Sequence, residues 1–168
     1  MKVRVIDDYL PTPIFEDFVQ LIESQSFQWE YHSTSVYSDD KYPQLSHTFF
    51  DIQSFGPESI HYTKIHNVLN EIDDLEALAR IKVNGTFKGQ SVKEKPFHLD
   101  VESCPHLNSL ILHLNTNDGY TAIKDENGKK HRIKSKANRA ILFPNRYYHA
   151  GTNCTDKDLR LVLNIVYA

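Results

Sequence analysis

At Leu75 the spacing of apolar residues changes from helical to extended, and it does not change back. Upstream, Ile14, Phe15, Phe18, Leu21 and Ile22, and then Ile65, Val68, Leu69 and Ile72, recur as in a helix that buries one face. Downstream, short apolar runs are separated by glycine, asparagine and charged clusters, the punctuation of an all-β body. The candidate strands are Leu78 to Asn84, Pro96 to Glu102, Leu107 to Asn115, Tyr120 to Ile123, Arg132 to Ser135, Ala140 to Phe143, Tyr147 to Ala150 and Leu159 to Tyr167. Eight short strands suit a jelly roll, in which two sheets close into a barrel whose mouth admits a ligand. The pattern predicts a mainly β fold with N-terminal helices.

Val3 to Leu10 reads as a strand stopped by Pro11 and Pro13, with an amphipathic helix after it. A second helix is expected from Pro57, a residue suited to a helix entry, to Asp73 or Asp74. Gln25 to Gln53 carries Trp29, Tyr31, Tyr37, Tyr42, Phe49 and Phe50 without a sustained period, and is expected to form irregular strands and loops. Those aromatics have two readings, a lid that stacks on an extended chain or a layer that completes the core. A chain of 168 residues suits a single domain. Residues 1–75 would supply the N-terminal strand, helices and a support or lid, and residues 76–168 the jelly-roll core.

A net charge of −3 and 24% charged residues describe an ordinary globular protein, and nothing in the total charge demands nucleic acid. The basic run from Lys129 to Lys136 reads as a solvated hairpin or as a patch that draws in an acidic partner or nucleic acid. The N-terminus lacks the apolar core of a signal peptide and no apolar run is long enough to span a bilayer, so the cytoplasm is the expected location. Cys104 and Cys154 show no metal-pair spacing and are expected to be thiols.

His98 and Asp100 stand two apart in a candidate strand, a spacing that puts both side chains on one face. His149 follows the Ala140 to Phe143 strand and its Pro144-Asn145 turn, where a chain returning across a barrel sets a side chain at the mouth. Two imidazoles and a carboxylate can occupy one face of an octahedral Fe(II) and leave positions open for reactants. His32, His47, His61, His66, His106 and His131 are read as surface or core residues. Arg160 opens the last apolar strand, where a buried guanidinium needs an anion and suits a carboxylate through two parallel hydrogen bonds. The alternative is a surface arginine paired with Asp156 or Asp158.

Four segments carry a family resemblance: Ala79 to Asn84; His98-Leu99-Asp100; Leu110 to Asn115 leading to Gly119-Tyr120-Thr121; and Ala140 to Gly151 with Arg160. Together they resemble the 2-oxoglutarate and Fe(II)-dependent oxygenase superfamily, in its prolyl-4-hydroxylase-like branch, whose fold is a double-stranded β-helix of cupin-like form. The run from Asn115 to Thr121 is similar to that of small oxygenases encoded by tailed phages of marine cyanobacteria, which would place the protein in a host cytoplasm. The resemblance implies Fe(II) held by His98, Asp100 and His149, with 2-oxoglutarate and O2 as cosubstrates and ascorbate as an optional addition. Arg160 would hold the distal carboxylate of 2-oxoglutarate. His113 would assist it from a position where relatives carry tyrosine, Asn84 would touch the cosubstrate, and Asn164 would lie beside the iron. Val162 departs from the serine or threonine often found two residues after the arginine.

The implied reaction hydroxylates a C–H bond, in a prolyl or other peptidyl substrate, and releases succinate and CO2. A carboxylate at Asp100 favours hydroxylation over halogenation. Two other readings stand beside it. One is a non-catalytic jelly-roll module with a structural metal. The other is a nucleobase-directed oxygenase, although such enzymes usually carry a second arginine after the first and none follows Arg160.

Overall fold

The computed structural model describes residues 2–168. Its elements are β1 (Arg4–Ile6), α1 (Thr12–Glu23), β2 (Glu30–His32), β3 (Gln44–Asp51), β4 (Gly56–Pro57), α2 (His66–Leu69), β5 (Leu78–Phe87), β6 (Asn108–His113), β7 (Tyr120–Lys124), β8 (Lys130–Lys134), β9 (Arg139–Pro144), β10 (His149–Gly151) and β11 (Leu159–Tyr167). A large antiparallel sheet runs β1-β9-β6-β11-β5-β3-β2, with β4 on β3, and a smaller one runs β10-β7-β8. This is the jelly roll that the run of short strands predicts.

Strand alternation divides the large sheet into two unlike faces. Ile81 and Val83 of β5, Leu110 and Leu112 of β6, and Leu161, Leu163 and Ile165 of β11 join Phe18, Ile22, Ile65, Val68 and Leu69 in the main core, so this face is roofed by the helical segments. Ile111, Ile141 and Phe143 on the other face meet Ile123 and Ile133 of the small sheet, with Val162 against them. Between the two sheets lies the barrel interior.

Helix α1 begins behind Pro11 and carries Pro13 in its first turn, where the missing N–H costs nothing. It ends at Ser24, whose hydroxyl and backbone N–H both donate to the Leu21 carbonyl. The second helix is much shorter than its spacing predicts. Pro57 pairs with Phe50 as part of β4, so the helical segment starts late and comprises only a 3-10 turn at Tyr62–Ile65 and the single turn α2. Ile65, Val68, Leu69 and Ile72 are nevertheless all buried.

The segment expected to be irregular contains β3, an eight-residue strand inside the large sheet. Its period is hidden by a register shift between Thr48 and Phe50 and by Gln44, Ser46 and His47, polar residues that are buried because partners satisfy them. Its aromatics divide between the two readings: Phe49, Phe50 and Trp29 complete the core, whereas Tyr37 stands half-exposed with its hydroxyl donating to the Phe97 carbonyl. Lys130–Lys134 of the basic run form β8, where Lys130 meets Glu94 at 2.6 Å and Arg132 lies over the Tyr120 ring, and Lys136 beyond it meets Asp7 at 3.1 Å. Both cysteines are free thiols. No helix among the described residues is long and apolar enough to cross a membrane.

Candidate metal centre

β5 and β11 pair along their length, with Thr86 opposite Arg160, Asn84 opposite Val162 and Lys82 opposite Asn164. On β5 the alternation that buries Ile81 and Val83 turns Arg80, Lys82, Asn84 and Thr86 the other way, and all four line a cavity of about 270 Å3 inside the barrel. Arg160, Val162 and Asn164 line the same cavity from β11, together with His98, Asp100 and His149.

No strand runs from Pro96 to Glu102, contrary to the expectation from sequence. Pro96 has no N–H to give a ladder, and regular pairing is reduced to single bridges at Glu94–Thr152 and His98–His149. The second bridge seats His98 on His149 through backbone bonds of 2.9 and 3.0 Å, and the chain then bends at Asp100. The two side chains converge at a single bridge followed by a bend, in a segment that Arg80 fastens at Asp100. Arg80 donates to the Asp100 carbonyl at 2.8 Å and to its carboxylate at 2.6 Å. Asn145 anchors the following loop by donating to the Val101 and Cys104 carbonyls.

His98, Asp100 and His149 each offer a ligand atom within 4.8 Å of the others. The His149 Nε2 lies 3.3 Å from Asp100 Oδ2, and the His98 Nε2 lies 3.9 Å from Oδ1. His98 Nδ1 is 3.2 Å from the Pro96 carbonyl, which favours the proton on that nitrogen and leaves the Nε2 lone pair facing Asp100. Burial pushes the His149 pKa down to about 4, with Asp100 opposing, so the ring is neutral at physiological pH. Burial would raise Asp100, but His149, Arg80 and His98 with the Asn164 amide hold it below the usual carboxylate range. Two imidazoles and an ionised carboxylate form a donor set that fits a divalent transition metal.

A second group, Asp118, Cys154 and Asp156, also has ligand atoms close together. Its carboxylates are engaged in holding the loop: Asp118 accepts from the Thr155 N–H and hydroxyl, and Asp156 accepts from the Asp118 N–H.

Arg160 is buried, at 3% exposure, and meets neither Asp156 nor Asp158. Its Nε donates to the Ser135 hydroxyl at 3.0 Å and its Nη2 to the Thr121 hydroxyl at 2.8 Å. His113 Nε2 stands 3.4 Å from the same Nη2 and 3.0 Å from Thr121 Oγ1. Burial, then Arg160, push the His113 pKa well below its ordinary value, so its ring is neutral. The main chain packs directly on the guanidinium stem at Gly119, where a Cβ would lie 2.9 Å from Arg160 Cδ and 2.6 Å from the Asn153 carbonyl. The structure thus brings His98, Asp100, His149, Asn84, Asn164 and Arg160 to one cavity, with His113 directly behind Arg160. Asn164 donates to Asp100 Oδ2 at 2.8 Å, and Asn84 lines the wall between Asn164 and Arg160.

Four residues that shape this site escape a reading by spacing: Arg80, Lys95, Thr121 and Ser135. Arg80 had a signal, since polar residues alternate with apolar ones along the whole of β5. Ser135 had none, because it closes a basic run that looks solvated. Lys95 is 7% exposed and its Nζ donates only to Gln44 Oε1, at 3.1 Å. Burial, then Arg160, lower its pKa to about 8. An ammonium buried without an acid destabilises the fold, so Lys95→Met should stabilise the metal-free protein by about 1–2 kcal/mol once the lost hydrogen bond is deducted. The sign with pH follows: below pH 8 both folded and unfolded chains carry the charge and the folded one bears the full penalty, whereas above the ordinary lysine value neither does. The stability difference between variant and wild type, from urea unfolding, should be largest below pH 8 and shrink as the pH rises; a destabilised variant would contradict this.

No protein-family model matches the chain, and no curated protein matches its sequence. Solved structures do. The chain is similar to a prolyl hydroxylase from Trichoplax adhaerens in complex with a hypoxia inducible factor oxygen degradation domain peptide fragment, with a TM-score of 0.67 and 10% identity, over 98% of this chain and 82% of that one. An oxidoreductase of the 2OG-Fe(II) oxygenase family from Burkholderia pseudomallei gives 0.68 at 11% identity, over 99% and 84%. The epimerase SnoN, in complex with Fe3+, alpha ketoglutarate and nogalamycin RO, gives 0.67 at 9% identity, over 98% and 78%. At such identities the likeness concerns the fold.

Proposed function

We propose that the protein is a 2-oxoglutarate- and Fe(II)-dependent dioxygenase that hydroxylates a C–H bond, with a prolyl or other peptidyl substrate, releasing succinate and CO2. One observation carries the reading: a buried arginine without an acidic partner opens on the same cavity as a two-imidazole and carboxylate triad. His98, Asp100 and His149 would hold the iron, which would supply the oxidative chemistry. Arg80 and Asn164 would fix the Asp100 carboxylate, and the Nδ1 contact of His98 would fix its ring. Arg160, backed by Thr121, Ser135 and neutral His113, would receive the distal carboxylate of 2-oxoglutarate. Val162, in place of a hydroxyl residue, gives the cavity wall an apolar patch.

The fold of the Trichoplax prolyl hydroxylase, solved with a peptide, supports a peptidyl substrate. Tyr37, bonded to Phe97 at the cavity rim, would be among the first side chains to meet one. A catalytically silent module with a structural metal is disfavoured by Arg160, since such a module has no use for an unmatched buried cation. The test is succinate formation from 2-oxoglutarate on addition of Fe(II) under air, together with mass spectrometry of peptides for a gain of one oxygen. Succinate should appear only with both iron and 2-oxoglutarate; its absence from a metal-loaded, folded sample would contradict the assignment.

A further inference from the structure

The cavity holds more cationic side chains than the proposed reaction uses. Arg80, Lys82, Lys95 and Arg160 line it, against Asp100 and Glu102. Arg80 is committed to Asp100. With a divalent ion, Asp100, both carboxylates of the 2-oxo acid, Arg80 and Arg160 counted together, a single positive charge remains. Lys82 and Lys95 add two more, which Glu102, exposed at the rim, offsets only in part.

Their positions define where the surplus lies. Lys82 projects from the middle of β5, opposite Asn164 on one side and Thr48 on the other, on the face that carries Asn84. It therefore emerges one strand away from the residue that touches Asp100. Lys95 reaches Gln44 of β3, which pairs with Thr86, itself opposite Arg160. Lys82 thus stands at the Asn164 end of the β5 wall and Lys95 at its Arg160 end, and both line the cavity together with the Ser35-Val36-Tyr37 turn. Neither has an acid within ion-pair distance among the described residues. Burying an ammonium unmatched is costly, and a carboxylate arriving with a ligand removes that cost.

We infer that the substrate carries a carboxylate, drawn into the cavity by the surplus positive charge of Lys82 and Lys95. This rests on the function proposed above, which assigns Arg160 and the metal to the 2-oxo acid. The carboxylate could belong to a small free acid or to an acidic residue of a peptide, and both present the same group to the two lysines. A nucleic-acid phosphate backbone fits less well, because these charges line an enclosed cavity and not an exposed stripe.

The test uses the full chain loaded with Mn(II), and its first measurement is calorimetric binding of 2-oxoglutarate. If none binds, the function proposed above fails and this inference falls with it. With 2-oxoglutarate bound, four probes are titrated: N-acetylproline with its free carboxylate, an acetylated and amidated Asp-Pro-Asp tripeptide, its Asn-Pro-Asn counterpart, and a short oligothymidylate. A carboxylate probe should bind about tenfold or more tighter than the Asn-Pro-Asn peptide, roughly the effect of one charge-assisted contact. Preference for N-acetylproline identifies a free acid, and preference for the Asp-Pro-Asp peptide an acidic segment. Lys82→Gln and Lys95→Gln should each cut that preference about threefold or more while shifting the 2-oxoglutarate affinity less than about twofold. Failure of all probes to bind, equal binding of charged and neutral peptides, an unchanged preference in both variants, or tightest binding of the oligothymidylate would overturn the inference. So would a large loss of 2-oxoglutarate affinity in either variant, which would assign that lysine to the cosubstrate.

Discussion

Replacing Arg160 by methionine should weaken binding of 2-oxoglutarate to the Mn(II)-loaded protein by about 100-fold, or about 3 kcal/mol. The guanidinium is buried, bonded only to the neutral groups of Ser135 and Thr121 and close to neutral His113, so a carboxylate reaching it would meet an unmatched charge. Two charge-assisted hydrogen bonds, at about 1.5–3 kcal/mol each, would be lost with the side chain. Specificity separates this from a general disturbance of the site. 2-Oxopentanoate, which has a methyl group in place of the distal carboxylate, should bind wild type and variant alike, because it makes no use of the arginine. Equal losses for both acids in a calorimetric titration would show that Arg160 supports the fold of the cavity and does not read the carboxylate.

Asp100→Ala should remove two things at once, metal binding and part of the stability of the metal-free fold. The carboxylate side chain is 6% exposed and accepts from Arg80 and Asn164. Its loss leaves the Arg80 guanidinium, itself partly buried, without its counter-charge, and breaking such a pair costs about 2–4 kcal/mol. For a chain of this size that lowers the melting temperature by about 5–10 °C. His98→Ala is the comparison. It too should abolish Mn(II) binding, followed by electron paramagnetic resonance, but its imidazole makes a single hydrogen bond, to the Pro96 carbonyl, and is more exposed, so the melting temperature should fall much less. Were Asp100→Ala to bind Mn(II) normally, or were both variants to lose equal stability, the division between ligand and ion-pair roles would be wrong.

The sequence was most legible where one residue type could serve only one environment. Arg160 among the apolar residues of β11, and the alternation along β5, mark the inward face of the large sheet without any coordinates. The helical spacing of Ile65, Val68, Leu69 and Ile72 identified buried residues correctly while overstating the helix, because burial of one face needs the spacing but not a long rod. β3 was hidden for the opposite reason: its buried polar residues are satisfied by partners that spacing cannot reveal, such as Ser46 with His32 and Gln44 with Lys95. The approach of His98 to Asp100 is expected from strand geometry and occurs in a bridged, bent segment that Arg80 fastens at Asp100 and Asn145 fastens beyond it. Long-range fastening of this kind is invisible to any local pattern, as is the contribution of Ser135 from the end of a basic run.

Anaerobic addition of 2-oxoglutarate to the Fe(II)-loaded protein, followed in the visible spectrum, tests most directly whether the triad and Arg160 form one site. A charge-transfer band should appear as the 2-oxo acid chelates the iron, should be absent from Asp100→Ala, and should need far more 2-oxoglutarate in Arg160→Met. No band in the wild-type protein, or one that forms equally well in all three, would contradict it.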